Sequence, residues 1–305
     1  MIVETPEAFL AAAGGLSPEP WGPATARAAL LVAPDGFSLA EESERDNRYM
    51  AHGALVSEER ALAEHRRLAD ALRESLPVRV FPGAAEMPDA VFPNNVFATA
   101  PGRVVVGRMR HGVRRREAER ADVRDYLRAR NGSELVDLAA RHDLVAELTG
   151  PLVIDRLRGI GYCGLTERCD RAGAAAMHEA FGLRLTFVFE LAAGEYHTNV
   201  FMAVLAGRAC VLHEGSFADP RVPAAIAEIY GDAAIRLSDA EKAAFAGNCI
   251  ALSDSEVWMS ARAAAALRSE SRAALAAAGF RVRSVPLDEI EKAGGSLRCC
   301  VCEIY

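Results

Sequence analysis

Short apolar runs typical of β-strands alternate with helical segments from one end of the 305-residue sequence to the other. The clearest of these runs are ARAALLVAP (26–34), VRVF (78–81), RVVVGR (103–108), LRLTFVFEL (183–191) and RVRSVPL (281–287). Strands that alternate with helices are typical of α/β and α+β folds, in which the helices lie outside the sheets. No stretch has the composition of a linker, and the sequence itself shows no repeat, although units of roughly 60 residues fit the spacing.

Local signals mark where several elements begin and end. Ser57 is placed to cap a helix, and Ser238 forms a capping box with Glu241 at the start of another. Residues 260–278 have the pattern of one Ala-rich helix that a glycine ends. The two apolar runs within 201–212 are joined by Ala-Gly and predict a β-hairpin.

Composition and charge exclude several classes of protein. Lys and Arg total 35 and Asp and Glu total 42, so the net charge of −7 argues against a general affinity for nucleic acid or anionic membranes. No apolar run reaches the roughly 20 residues of a membrane-spanning helix, and residues 1–15 lack the basic region of a signal peptide. The arginines between 108 and 130 are interleaved with acidic residues, which predicts a solvated helix face rather than a nucleic-acid site.

The cysteines indicate a reducing compartment. There are seven, an odd number, and three of them lie in the last seven residues, which does not fit a disulfide framework. We therefore expect reduced thiols and a cytoplasmic location.

Two segments in the first half of the chain concentrate polar residues. In MPDAVFPNNVFA, Asp89, Asn94 and Asn95 flank an apolar Val-Phe-Pro. Taken alone, these side chains are better explained as forming hydrogen bonds that close a loop onto backbone groups.

In AELTGPLVID, Glu147 precedes a Thr-Gly turn and an apolar strand, a position that suits a partly desolvated carboxylate. Taken alone, however, a surface glutamate at a loop edge is the favoured interpretation.

Two further segments lie in the second half. In GEYHTNVFMAVL, His197 and Asn199 are two residues apart, so on a strand they point to the same face. A lone histidine of this kind more often has a structural role.

In AGGSLRCCVCEIY, a turn presents Arg298 and Cys299 at the start of a terminal strand. A cysteine beside a cationic side chain and free backbone N–H groups is placed where a thiolate is stabilised.

Other interpretations of the terminal cysteines remain open. Cys300 and Cys302 are candidates for small core side chains. A zinc-dependent hydrolase that uses Cys299, Cys302 and His197 is an alternative, although Cys-Cys-x-Cys lacks the usual paired spacing of zinc ligands. With Glu147 added, the thiol, imidazole and carboxylate supply the groups needed for covalent attack by cysteine with histidine as acid and base.

The order PDAVFPNN, E–TG, GLTERCDRAG, HTN and GGSLRC resembles the guanidine-modifying (pentein) superfamily. That superfamily includes arginine deiminases, dimethylarginine dimethylaminohydrolases, amidinotransferases and succinylarginine dihydrolases. The resemblance runs from the segment ending at Phe37 to Tyr305, and is greatest to the amidinotransferase-like group that contains citrulline-utilisation hydrolases. It implies an α/β fold, a five-bladed α/β propeller of ββαβ-like modules with pseudo-fivefold symmetry, as a single domain over residues 1–305.

The resemblance also implies roles for individual residues. Cys299 matches the nucleophile, His197 the general acid and base, and Glu147 the acidic partner. Arg168 matches an arginine that holds the α-carboxylate of the substrate, for which a planar fork of donors is suited. The implied partner is a small guanidino or ureido amino acid, and no metal or organic cofactor is expected. The residues matched to the planar head group of the substrate are Asp89, Asn94, Asn95 and Asn199.

The sequence departs from the deiminase pattern at two places. Where deiminases place two aspartates on the guanidinium, this chain has Asn95 and Asn199. Removing a carboxylate from a buried charge pair costs about 3–5 kcal/mol, whereas an amide both donates and accepts hydrogen bonds and so suits a ureido group. We therefore expect a hydrolase that acts on citrulline, or on an arginine derivative through two cycles. Pro151, where relatives carry a small residue, weakens the match at Glu147.

Several alternatives to this function stay open. Arginine deiminase or dimethylarginine dimethylaminohydrolase activity is the first, because Glu147 alone can anchor a guanidinium. An amidinotransferase, or a non-catalytic binding protein of the same fold, is the second. The sequence leaves open the far end of the substrate, the pathway and whether the chain forms a homo-oligomer.

Overall fold

The computed structural model describes residues 1–131 and 134–305, in which helices and strands alternate along the chain. The helices are α1 Pro6–Gly14, α2 Glu41–Glu44, α3 Glu58–Arg73, α4 Gly112–Ala118, α5 Ala121–Asn131, α6 Arg171–Phe181, α7 Arg221–Tyr230, α8 Asp239–Ala243, α9 Ala261–Ala266 and α10 Ser269–Ala277. The strands are β1 Ile2–Val3, β2 Ala28–Val32, β3 Val78–Phe81, β4 Phe97–Ala100, β5 Arg103–Val106, β6 Glu134–Asp137, β7 Leu152–Asp155, β8 Ile160–Leu165, β9 Leu185–Glu190, β10 Met202–Leu205, β11 Ala209–Leu212, β12 Ala234–Arg236, β13 Ile250–Ala251, β14 Glu256–Ser260, β15 Arg281–Val285 and β16 Cys302–Ile304. No helix within the described ranges is both long enough and apolar enough to span a bilayer.

The described strands form five small sheets that share one connection pattern. In each sheet an antiparallel pair is followed by a strand parallel to the second member of the pair, as in β4-β5-β6 and β10-β11-β12. One or two helices precede the parallel strand; α6, for example, lies between β8 and β9. The predicted mixed α/β fold is confirmed, and the repeat is visible in the connections although the residues do not repeat.

Two of the five sheets join distant parts of the chain: β1 pairs parallel with β9, with Ile2 opposite Thr186, and the last strand, β16, pairs with β2. Strand β16 pairs antiparallel with β2, with Cys302 opposite Leu30, and β2 pairs parallel with β3. The segment before β16 packs in the same apolar cluster as Trp258 of β14, where Leu297 and Val301 are fully buried. This packing fixes the position of the segment that carries Cys299.

Several local predictions are confirmed. The Ser57 hydroxyl accepts from the Arg60 N–H at the start of α3, and Ser238 with Glu241 makes both hydrogen bonds of the capping box before α8. Strands β10 and β11 form the predicted hairpin, whose turn holds Ala206 at a positive φ of 48°. Side-chain caps act within a few residues, which is why the sequence reveals them.

The prediction of one helix over residues 260–278 is wrong. The structure has two helices, α9 and α10, separated at Leu267 and Arg268, which adopt extended ψ values of 127° and 160°. The buried carboxylate of Glu241 accepts hydrogen bonds from the Arg268 N–H at 3.0 Å and from Arg268 Nε at 2.8 Å. These hydrogen bonds to Glu241, which is distant in sequence, end helix α9 in a segment whose Ala-rich composition favours a continuous helix.

The arginine-rich segment also differs from the prediction. It forms helices α4 and α5, but Arg114 does not lie on a solvated face, since it and Glu117 are buried. Two hydrogen bonds of 2.9 and 3.0 Å join the two side chains, because a buried guanidinium needs an acidic partner. Arg114 Nη2 also donates to the carbonyls of Asp89 and Phe92, and so holds the turn that carries the first polar motif.

Candidate active site

The polar motifs of the sequence meet at one small cavity of about 20 Å³. Of the residues predicted to form a site, those that line it are Asp89, Asn95, Arg168, His197 and Cys299. Glu147 and Asn199 lie behind this lining, where Glu147 contacts His197 and Asn199 contacts the Cys299 thiol. Asn94 does not line the cavity and contacts Thr149 instead. Residues far apart in the sequence therefore converge on one cavity.

His197 is held between a carboxylate and an amide. Its Nε2 lies 2.9 Å from Glu147 Oε2, and its Nδ1 lies 3.2 Å from Asn95 Nδ2. With Asn95 donating to Nδ1, the ring carries its hydrogen on Nε2 and donates it to Glu147. Burial lowers the pKa of His197, although Glu147 acts in the opposite direction, so the neutral imidazole is favoured.

Gly150 makes this arrangement possible. A Cβ atom at position 150 would lie 2.4 Å from Asn95 Nδ2 and 2.7 Å from His197 Cε1. These distances are far below van der Waals contact, so only glycine allows the backbone to approach the imidazole and the amide together. The Thr-Gly turn noted in the sequence is therefore part of the wall behind the histidine.

Glu147 remains ionised although its side chain is fully buried. Arg168 Nη1 donates to it at 3.2 Å, and the Arg110 backbone N–H donates at 3.1 Å. Burial acts to raise the pKa of Glu147, but Arg168 and His197 outweigh it and hold the pKa well below its usual value. The carboxylate therefore supplies a fixed negative charge beside the imidazole.

Arg168 is occupied by two carboxylates. Besides Glu147, it binds Asp46 through Nε at 2.9 Å and through Nη2. His111 Nε2 also lies 3.0 Å from Asp46. Burial raises the pKa of Asp46, but the bonds from His111 and Arg168 outweigh it and lower the pKa to about 2. Arg168 is thus positioned as the charge partner of Glu147, and its binding of a substrate carboxylate stays a prediction.

Cys299 lies in a 3-10 turn, Leu297–Cys300, and is only 2% exposed. Asn248 Nδ2 donates to its sulfur at 3.3 Å, and the thiol lies 4.0 Å from Asn199 Oδ1. The Arg298 side chain is turned away and binds Glu303 at 2.8 Å. Burial raises the pKa of Cys299, and Asn248 and Arg298 reduce this effect without reversing it. Desolvation thus exceeds the attraction of the nearby charge and favours the neutral thiol, and the role of Cys299 as a nucleophile stays a prediction.

Neutral amides form the wall beside the thiol. Asn199 Nδ2 donates to the Thr149 carbonyl at 2.9 Å, and Asn248 Nδ2 donates to the Asn199 carbonyl at 2.8 Å. Asn94 Nδ2 lies 3.4 Å from Thr149 Oγ1, while its Oδ1 is buried without a partner among the described residues. An N–H donor or a water molecule would satisfy that oxygen.

Sequence reasoning missed several residues of the site. Ser43 lines the cavity and donates to Asp89 Oδ2 at 2.5 Å, and Arg114 lines it from helix α4. Asn248 accepts the Arg298 N–H at 3.0 Å while it donates to the thiol. A Gly-Asn pair precedes Cys249 and is a turn signal, but nothing in the sequence separates Arg114 from its many neighbours of the same type.

The remaining cysteines do not form a metal site. Among the residues that the structure describes, no cluster of His, Cys, Asp or Glu is arranged to hold a metal ion. The Cys302 thiol donates instead to the Phe97 carbonyl at 3.3 Å, and Cys300 is fully buried in the apolar cluster. Their position is that of small core side chains.

Comparison with known proteins gives one family and one fold. The sequence pattern of the family described as N,N dimethylarginine dimethylhydrolase, eukaryotic, matches residues 33–305. No curated protein sequence gives a significant match. The structure is similar to the substrate-bound N-terminal domain of ArgZ, an arginine dihydrolase from the ornithine-ammonia cycle in cyanobacteria. The TM-score is 0.77 at 22% identity, over 91% of this chain and 98% of that one.

Two other solved structures agree. Unliganded AgrE gives a TM-score of 0.78 at 21% identity, over 91% of this chain and 39% of AgrE. A dimethylarginine dimethylaminohydrolase variant in an adduct with S-methyl-L-thiocitrulline gives 0.70 at 18% identity, over 92% of this chain and all of that one. These likenesses establish the fold, and the family match covers most of the sequence. The chain therefore belongs to the N,N-dimethylarginine dimethylhydrolase family, within the guanidine-modifying superfamily that its motif order predicts.

Proposed function

We propose that this chain is a cysteine-dependent hydrolase that cleaves the terminal C–N bonds of arginine- or citrulline-type amino acids. The observation that carries the proposal is the meeting of Cys299 and His197 on one polar cavity, with ionised Glu147 behind the imidazole. A nucleophile, a base and a group that orients the base are the elements of covalent nucleophilic catalysis. The similarity to arginine dihydrolase structures supports the same reaction class.

The first half of the reaction forms a covalent intermediate. The Cys299 thiol passes its proton to Nδ1 of the neutral His197 imidazole, which gives up the hydrogen bond from Asn95, and the sulfur attacks the central carbon of the guanidino group. The imidazolium then protonates the leaving nitrogen, the C–N bond breaks, and ammonia departs to leave a thiouronium on Cys299. A guanidinium in the cavity favours this step, because its positive charge lowers the pKa of the adjacent thiol.

The second half restores the enzyme. His197 removes a proton from water, the hydroxide adds to the thiouronium carbon, and the C–S bond breaks as the proton returns to sulfur. The product is citrulline. A second cycle on its ureido carbon consumes another water and releases ammonia, carbon dioxide and ornithine. Solved structures of ArgZ covalently bound to a reaction intermediate and of AgrE in complex with ornithine agree with this sequence of steps.

The neutral amides bear on the choice of substrate. Asn95 Nδ2 and Asn199 Nδ2 each use one hydrogen on a protein acceptor, and an amide nitrogen carries two. Asn95 lines the cavity and therefore keeps one N–H donor for the substrate, whereas the Oδ1 of Asn199 is the acceptor nearest the Cys299 thiol. Among the described residues, Asn94 Oδ1 is buried without a hydrogen-bond partner, and these amides together support a site that holds both forms of the head group.

The same proposal includes the arrangement of the fold. Five sheets of one connection pattern, closed by the pairing of β16 with β2, support a five-bladed propeller in which residues 1–305 form one domain. The predicted cytoplasmic location and a homo-oligomer belong to the proposal as well. A crystal structure of the purified chain would test the blade arrangement and the oligomer directly.

Product analysis tests the activity. Purified protein is incubated separately with arginine, citrulline, dimethylarginine and succinylarginine, and ammonia, methylated amines, citrulline and ornithine are quantified. Two equivalents of ammonia with ornithine from arginine support the dihydrolase, and one equivalent with citrulline indicates a deiminase. No product from any of the four substrates, with a correctly folded protein, overturns the proposal.

Dimethylarginine hydrolysis is the second candidate, and the family match over residues 33–305 favours it. Its signature in the same assay is dimethylamine with one equivalent of citrulline. Amidino transfer would instead require an added amine as acceptor, and a non-catalytic binding protein would bind a substrate without product.

A further inference from the structure

A second cavity, beside helix α4, has no part in the reaction described above. Its volume is about 310 Å³, and it lies between the end of β5, helices α4 and α5 and the turn after β6. That volume is at the lower end of the range for small-molecule sites. The basic residues that line it are Arg108, Arg115, Arg124 and His142.

The charges in this cavity are unequally paired. Arg124 binds Asp137 at 2.7 Å. Arg108, by contrast, donates only to the Ala139 carbonyl at 3.3 Å and contacts His142 Nδ1 at 3.1 Å within the described part of the chain. Burial and the nearby charge of Arg115 lower the pKa of Arg108, in agreement with a guanidinium that has no carboxylate partner among the described residues.

The Arg115 side chain likewise donates to backbone carbonyls and not to a carboxylate among the described residues. Its Nε donates to the Met109 carbonyl at 3.0 Å and its Nη2 to the Arg110 carbonyl at 2.9 Å. Glu119 also lines the cavity but makes no ion pair with a described residue. Two guanidinium groups thus face one cavity with carbonyl and imidazole acceptors in place of carboxylates.

We propose that this cavity binds a small organic anion through Arg108 and Arg115, with a phosphate or carboxylate group as the recognised part. The planar fork of a guanidinium matches such oxyanions in a bidentate geometry, and its hydrogen bonds to them are stronger than those to neutral carbonyls. Met109, Ala118 and Ala139 provide apolar wall for the remainder of the ligand.

The cavity is connected to the proposed active site through one peptide segment. Arg115 holds the carbonyls of Met109 and Arg110, and the Arg110 N–H donates to Glu147 Oε1 at 3.1 Å. An anion that draws the Arg115 guanidinium towards itself loosens this segment and alters the hydrogen bond to the carboxylate behind His197. The anion therefore changes kcat more than KM, a consequence that rests on the proposed function.

Direct binding tests the site. Calorimetric titrations of the full chain use inorganic phosphate and malonate, with sodium chloride at matched ionic strength as the control. We expect saturable binding of at least one oxyanion, and a loss of about tenfold or more in affinity in the Arg108→Gln/Arg115→Gln variant because two charge-assisted hydrogen-bonding groups are removed. Comparing phosphate with malonate shows which type of oxyanion the site prefers.

Matched variants distinguish a built site from general surface charge. Arg116→Gln, an exposed arginine of the same helix that does not line the cavity, should bind both anions as the wild type does. Glu119→Gln should bind them more tightly, since it removes a competing negative charge. Equal weakening by Arg116→Gln and by the double variant, or binding no stronger than that of chloride, overturns the site.

Turnover measured in the presence of the anion tests the connection to Glu147. A change in kcat that disappears in the double variant supports it, whereas an unchanged kcat at saturating anion refutes the coupling. If the wild type turns over no substrate, the proposed function has failed, while the titration still decides whether the anion site exists.

Discussion

The two sides of the Cys299 cavity are built from different chemistry. On one side, His197 contacts Glu147, which is paired with Arg168, which is paired in turn with Asp46. On the other side, the described side chains that contact the Cys299 sulfur are the neutral amides of Asn248, at 3.3 Å, and Asn199, at 4.0 Å. The first side is a network of fixed charges, and the second places neutral amides beside the sulfur.

The difference shows where the reactive charge comes from. Burial lowers the pKa of His197 and raises that of Cys299, so both groups favour their neutral forms before a substrate binds. A cationic guanidinium between them supplies the charge that favours the thiolate, whereas a neutral ureido group does not. We therefore expect the attack on arginine to be faster than the attack on citrulline added from solution.

The largest effect should come from removing either reacting group. Cys299→Ser and His197→Ala should each lower kcat by at least about a thousandfold, since removal of one member of such a set disables the whole. Steady-state ammonia release measures the loss, and circular dichroism verifies the fold. Cys210→Ala, which removes a buried thiol elsewhere in the core, is the matched control and should retain activity. Activity near that of wild type in either site variant would falsify the assignment.

The charged side should be sensitive to the loss of one partner. Arg168→Gln leaves Glu147 and Asp46 with less compensation, and breaking a buried charge pair costs about 3–5 kcal/mol of unfolding free energy. Urea denaturation at pH 7 measures it. Arg171→Gln, which breaks exposed pairs with Glu4 and Glu190, should leave the free energy of unfolding close to that of the wild type. Equal losses for the two variants would contradict the contrast between the two sides.

Adding charge to the neutral side should shift specificity. We expect Asn95→Asp combined with Asn199→Asp to raise the ratio of kcat/KM for arginine to that for citrulline by about tenfold, equivalent to roughly 1.4 kcal/mol. The carboxylates attract the guanidinium and lose the amide donors that the ureido oxygen needs. Each single variant serves as a control for the pair. An unchanged ratio would mean that these amides do not select the head group.

The smallest effect concerns the titration of the thiol. Because the folded-state pKa of Cys299 is raised, the neutral thiol dominates at pH 7, and alkylation by iodoacetamide should accelerate with rising pH through a value above that of a free cysteine. Asn248→Ala removes a donor to the sulfur and should move this profile to still higher pH. A bound guanidinium compound should move the midpoint of this profile to lower pH, measured from alkylation rates across the pH range. A profile centred well below the ordinary thiol pKa would contradict the neutral environment.

Local signals in the sequence predicted local structure well. The caps at Ser57 and Ser238 and the hairpin over 201–212 depend on contacts within a few residues. The helix break at Arg268 depends on Glu241, a partner 27 residues away, so the Ala-rich pattern could not reveal it. The meeting of the polar motifs was predicted through family resemblance and not through spacing, because no local rule brings residue 299 to residue 197.

The electrostatics of the site were the least predictable part. Arg168 had the right chemistry for a substrate carboxylate, but its partner Asp46 lies 122 residues earlier, and that pairing exists only in the folded chain. Arg114 looks like its arginine neighbours until burial sets it apart. The raised pKa of Cys299 likewise follows from desolvation, which a sequence motif does not report.

The pairing of β16 with β2 has a kinetic consequence. The two strands are separated by well over two hundred residues, and contacts between such distant segments are disfavoured by loop-closure entropy until the intervening chain is organised. We expect this sheet to assemble after the three sheets β4-β5-β6, β10-β11-β12 and β13-β14-β15, which are built from neighbouring segments. The sulfur would then meet its histidine only in the last stage of folding, so that partly folded chains are inactive towards substrate.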